Sequence, residues 1–105
     1  MSKFKTLSVK QPWASLIMSG EKDIENRIWH RNFEGWLLIH SSKSPERSAC
    51  MSGYQRGILY NITDGGIRKL PLGSILGAVY INNIDYSIKP TGEWGDPNCY
   101  HWHIS

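Results

Sequence analysis

Leu7-Ser8-Val9-Lys10-Gln11-Pro12-Trp13-Ala14-Ser15-Leu16-Ile17-Met18-Ser19-Gly20-Glu21-Lys22-Asp23-Ile24-Glu25-Asn26-Arg27 decides how the chain is read. Its first residues complete a short strand, Phe4 to Val9. Gln11-Pro12 then opens a helix, because proline is pre-organised for the first helical position. Trp13, Leu16 and Ile17 fall at i, i+3 and i+4 and make one apolar stripe. Gly20 ends the helix as a left-handed residue would. At about two turns the helix must be held by packing, since isolated helices shorter than ~12 residues are marginal. From Asp23 to Trp29 the pattern alternates, with Ile24 and Ile28 on one face and Glu25, Arg27 and Trp29 on the other. Strand, short helix, strand is the expected order.

Outward from this segment, Arg31 to Gly35 is a turn and Trp36 to Ser41 a buried strand. Ser44-Pro45 carries the N-cap and first-turn signals of a second helix, expected to run to about Leu59, with Ala49, Cys50, Tyr54 and Ile58 as a thin stripe. Asn61 to Gly73 reads as a loop. Ser74 to Ile84 is apolar on both faces, which suits a central strand. Tyr86 to Asn98 is a second loop, and Cys99 to Ser105 alternates as an edge strand with Tyr100, Trp102 and Ile104 facing inward. The expected fold class is α+β: a small mixed β-barrel of about five strands with two short helices.

Composition narrows the function classes. The 105 residues are 40% hydrophobic and 20% charged, which fits one small globular domain and argues against disorder, collagen and coiled coil. No apolar run approaches the roughly 20 residues needed to cross a bilayer, and Met1 to Lys5 lacks the apolar stretch of a signal peptide. The expectation is therefore a cytoplasmic protein without a membrane partner, whose Cys50 and Cys99 are free thiols. The net charge of +3 permits a polyanionic partner without demanding one. Five tryptophans are many for this length; core packing is the ordinary role, and stacking on a base or gripping a partner the alternative.

Gly20, Lys22, Glu25 and Arg27 match a G-x-K-x-x-E-x-R pattern, preceded by Gln11-Pro12-Trp13-Ala14 and followed by Glu34-Gly35-Trp36-Leu37-Leu38-Ile39-His40-Ser41 and Leu72-Gly73-Ser74-Ile75-Leu76-Gly77-Ala78-Val79. These four segments, in this order, resemble the ASCH domain family (activating signal cointegrator 1 homology). The resemblance implies a PUA-like barrel with a cleft that holds the signature residues, and an association with RNA or other nucleic acid. It also implies an alternative, since some small members hydrolyse the acyl amide of N4-acylated cytidine and others are linked to ribonuclease activity. The amide-hydrolysing members carry threonine where this chain has Glu25, and a glutamate supplies no neutral hydroxyl. Longer members continue beyond the segment resembling Cys99 to Ser105. The expectation is a single domain over residues 1–105 that lacks the family's final strand or closes its barrel differently.

The chemistry of the signature agrees with such a cleft. Glu25 and Arg27 share a strand face, and Lys22 lies where the chain turns out of the helix. Arg27 offers a planar fork for phosphate or carboxylate, Lys22 a compact charge, and Glu25 an acceptor for the exocyclic N–H of a base. The candidate nucleotide-binding set is Lys22, Glu25, Arg27, Trp29, Lys10, Trp13 and His40. In an enzyme, Lys22 and Glu25 would be the catalytic pair. Five of the seven have a plainer alternative: Glu25 and Arg27 as a structural ion pair, Trp13 as core, His40 as a hydrogen-bonded structural histidine, Lys10 as a solvated lysine. Cys99, His101 and His103 share a strand face that Cys50 or His40 could complete as metal ligands. The paired spacing of zinc knuckles is absent, so neither metal nor cofactor is expected. A protein-interaction module using an exposed Trp94 is the remaining reading.

Overall fold

The computed structural model describes residues 4–46, 51–63 and 70–105. Five strands and two helices follow in the order β1 (Lys5–Val9), α1 (Trp13–Met18), β2 (Ile24–Arg27), β3 (Gly35–Ser41), α2 (Gly53–Thr63), β4 (Ile75–Ser87) and β5 (Cys99–Ile104). They form one five-stranded mixed sheet in the order β1-β3-β4-β5-β2. β1 runs parallel to β3, and the other neighbours are antiparallel. The α+β class with two short helices is as expected, and β4 is the central strand. The expected closed barrel is not formed: β1 and β2 are the two ends of the sheet and no ladder joins them.

What fills the curl of the sheet explains why it stays open. Ala14 and Ile17 of α1 are buried with Leu7 and Val9 of β1, Leu37 and Ile39 of β3, Val79 and Ile81 of β4, and Trp102 of β5. The helix therefore occupies the interior that a closed barrel would fill with its own side chains. Leu16 turns the other way, into a second cluster with Ile24, Leu59 and Trp94. Two-sided burial holds this six-residue helix, whose N-cap Pro12 makes no side-chain cap bond. Gln11, fully buried, ties its start down. Its side chain receives the Ser15 N–H at 2.9 Å and donates to the Pro71 carbonyl at 3.0 Å.

Other boundaries move from the expected ones. The second helix begins at Gly53, not Ser44. Its start is a capping box: the Gln55 N–H donates to Ser52 Oγ at 3.1 Å, and the Ser52 N–H to Gln55 Oε1 at 3.2 Å. Ala49 and Cys50 of the expected stripe lie outside the described residues. β4 runs on to Ser87 through a bulge between Ile81 and Asn83. β5 is not an edge strand; it lies between β4 and β2, and the loop of residues 88–98 packs over His101 on its polar side. Among the described residues no helix is long and apolar enough to cross a membrane.

Candidate functional site

The place where the sheet fails to close is a cleft of about 650 Å³. Glu25 of β2 pairs in register with Trp102 and therefore points to the inner face of the sheet, and Arg27 follows it. The guanidinium crosses the gap and donates from one Nη to the Ser8 carbonyl of β1 at 2.7 Å. Its Nε lies 2.9 Å from Glu25 Oε2, an ion pair close in distance but not aligned as a hydrogen bond. Lys22 reaches the same cleft from the turn after α1. Gly20 there takes φ +86°, and the Lys22 N–H returns to the Leu16 carbonyl at 3.0 Å. All three signature side chains line one opening.

Lys22 is 4% exposed and Glu25 7%, so both charges are largely out of water. The Lys22 ammonium donates to the Ile24 carbonyl and stands 5.5 Å from the Trp13 ring centre and 5.6 Å from that of Trp94. Two indole faces thus supply part of the solvation that water no longer gives. Burial lowers the Lys22 pKa from its ordinary value, against the opposing pull of Glu25. Burial also raises the Glu25 carboxyl, although Arg27 and Lys22 both favour its charged form. The two shifts bring a cation and an acid toward easier proton exchange. Among the described residues, Lys10, Lys22 and Arg27 line the cleft together with Glu25, Glu46 and Asp96, three cationic and three acidic side chains.

The ASCH domain model matches residues 7–102, nearly the whole chain. The protein belongs to the ASCH domain family. A comparison with curated proteins finds no significant match.

Of the residues singled out in this ASCH domain's sequence, Lys10, Trp13, Lys22, Glu25 and Arg27 are brought together in the cleft. Trp29 and His40 are not. Trp29 lies beyond the end of β2, its ring 5.1 Å edge-on from Trp102 and under the Arg31 guanidinium. Ile28, expected on an apolar face, is 89% exposed. His40 pairs with Ser8 on the outer side of the sheet, Nδ1 3.1 Å from the Ser8 hydroxyl.

The cleft also contains residues that sequence reasoning missed. Trp94, expected to be exposed, is buried and forms a wall. Asn26 holds that wall, donating to the Trp94 carbonyl and accepting from the Asp96 N–H, both at 2.9 Å. Its place between Glu25 and Arg27 carried no sequence signal, because its partners are about 70 residues away. Gln55 also lines the cleft, and its capping-box pattern Ser52-Gly53-Tyr54-Gln55 was legible. The four-ligand set weighed from the sequence, Cys99, His101 and His103 with Cys50 or His40, does not gather. Cys99 Sγ turns to Asn26 and the Asp96 carbonyl, His40 is engaged with Ser8, and Cys50 lies outside the described residues.

Proposed function

We propose that this ASCH domain binds an unpaired base, in single-stranded RNA or as a modified nucleotide, in the cleft between β1 and β2. The observation that carries the reading is the combination in one hollow of a carboxylate–guanidinium pair and two indoles, in a volume within the range of small-molecule sites. Equal numbers of cationic and acidic side chains among the described lining residues do not suit a run of phosphates, which calls for an uncompensated basic groove. They suit a base, whose edge mixes donors and acceptors. Glu25 accepts from an exocyclic amine, Arg27 donates to a ring nitrogen or carbonyl, and Lys10 at the rim meets a flanking phosphate.

The test is fluorescence anisotropy of labelled RNA and DNA oligomers of about eight nucleotides. Wild type is compared with Lys10→Glu and Arg27→Gln, each checked for fold by circular dichroism. Both variants should weaken binding. Lys10→Glu should also flatten the salt dependence by roughly one counterion, whereas Arg27→Gln should change which bases are preferred. Unchanged affinity in both folded variants would reject the site.

A second reading, hydrolysis of a small acylated nucleoside, is favoured by one observation: the adjacent Lys22 and Glu25, whose pKa values are both moved by burial toward neutrality. Glu25 would act through water, since it offers no hydroxyl nucleophile. Turnover of N4-acylcytidines followed by ultraviolet absorbance, and its loss in Lys22→Ala, would establish it. No turnover of any member of the panel removes it.

A further inference from the structure

On the face of the sheet opposite Glu25 and Trp102, Asp85, His101 and His103 each place one ligand-type atom within 4.8 Å of the other two. β4 and β5 bring them together: Asp85 faces His101 directly in the ladder, and His103 lies two residues along the same strand face. We propose that these three side chains bind a divalent first-row transition ion of the zinc, cobalt or nickel type.

Three observations support a built site. His101 is 1% exposed, and its Nε2 is 2.6 Å from the Asp96 carbonyl oxygen. Such a contact fixes the proton on Nε2 and leaves Nδ1 as the lone-pair nitrogen, the arrangement by which a backbone carbonyl orients a metal-binding imidazole. Next, His103 Nε2 and Asp85 Oδ1 stand 3.0 Å apart. Two ligand atoms bound at ~2.0–2.1 Å to one ion take roughly that separation, so both can turn onto an ion with little movement. An ion bound at His103 Nε2 takes the place of any hydrogen on that nitrogen, which moves to Nδ1 of the same ring or to solvent. Finally, the site is enclosed on one side and open on the other. The loop of residues 88–98 packs over His101 so closely that a Cβ on Gly95 would come within 2.9 Å of its ring, while the side chains of His103 and Asp85 keep 29% and 57% of their exposure. Two imidazoles and one carboxylate, with the remaining positions open to water, select borderline ions over magnesium or calcium, which prefer all-oxygen sets.

The ion would have a structural consequence. His101 holds the Asp96 carbonyl, and Asp96 and Trp94 belong to the cleft wall. A metal fixing His101 therefore stiffens the loop that forms the wall from the opposite side of the sheet.

The test uses the tag-free chain near neutral pH. Cobalt(II) is titrated for its visible d–d bands, and zinc(II) is followed by calorimetry and by its effect on the melting temperature. Binding of one ion per chain is expected, unaffected by excess magnesium, with a concentration-dependent rise in melting temperature. Asp85→Asn and His103→Gln, both at partly exposed positions, should weaken binding by at least ~10-fold and abolish the rise. His30→Asn, at an exposed histidine outside the cluster, should change neither. No saturable binding, or binding undiminished in both Asp85→Asn and His103→Gln, overturns the proposal.

Discussion

Replacing Asn26 by alanine tests how the cleft wall is held. The side chain joins β2 to the distant loop by two hydrogen bonds of 2.9 Å, to the Trp94 carbonyl and from the Asp96 N–H, and receives a long contact from Cys99 Sγ at 3.6 Å. A hydrogen bond of ordinary geometry contributes about 1 kcal/mol net, so the truncation should cost about 2 kcal/mol, the sulfur contact adding little. For a domain of this size that corresponds to a fall of about 8–16 °C in melting temperature. Asn26→Asp should cost at least as much. It keeps the acceptor for Asp96 but sets an oxygen against the Trp94 carbonyl and adds a charge beside Glu25. Calorimetry or thermal circular dichroism measures both, with Asn61→Ala at an exposed position of α2 as a control expected within about ±0.5 kcal/mol. Amide exchange at Trp94 to Asp96 should accelerate in Asn26→Ala beyond what the global loss explains. A loss below about 0.5 kcal/mol, with unchanged exchange in the loop, would refute the clamp.

Glu25 gives a pH prediction. Its folded pKa lies above the ordinary 4.5, so in this window the folded chain binds more protons than the unfolded one, and stability falls as pH rises through it. The denaturant midpoint of wild type relative to Glu25→Gln should therefore decline as pH rises from about 4, and a constant difference would contradict the assignment. Lys22 has the opposite sign: its folded pKa lies below 10.5, so stability rises with pH toward that value, and Lys22→Met should remove the slope. Gly95→Ala should destabilise by about 1–3 kcal/mol in urea, because its Cβ would lie 2.6 Å from the Thr91 carbonyl oxygen, a backbone atom that cannot turn aside. Leu16→Ala, at a fully buried position between α1 and the Trp94 wall, should cost about 2–5 kcal/mol by thermal melting and loosen the cleft with it.

The first part of the fold is legible because its signals are local. Pro12 and Gly20 bracket a helix whose apolar residues recur at i, i+3 and i+4, and the alternation after Asp23 sets Glu25 and Arg27 on one side. The start of the second helix is ambiguous in the sequence because Ser44-Pro45 and Ser52 to Gln55 both look like helix starts. Only the second has the reciprocal Ser–Gln pair that satisfies two amide groups. The position of β5 was not legible. Alternation shows which side chains share a face, but not that β2 returns to pair with this strand and that a loop then covers His101. The same limit hid the cleft wall. Trp94 lies among Gly, Asp and Pro, a loop composition, and becomes buried only because Leu16, Ile24 and Leu59 converge on it. The signature residues could be found from one stretch of chain, and their surroundings could not.

Arg27 fastens the molecule and, on the proposed reading, also reads the ligand. Its guanidinium ties one free margin of the sheet to the other through the Ser8 carbonyl, beside the cleft. A guest that recruits that fork has to share it or undo the tie. Occupancy and rigidity are thus traded at one side chain: the protein holds itself shut with the group it would use to hold something else.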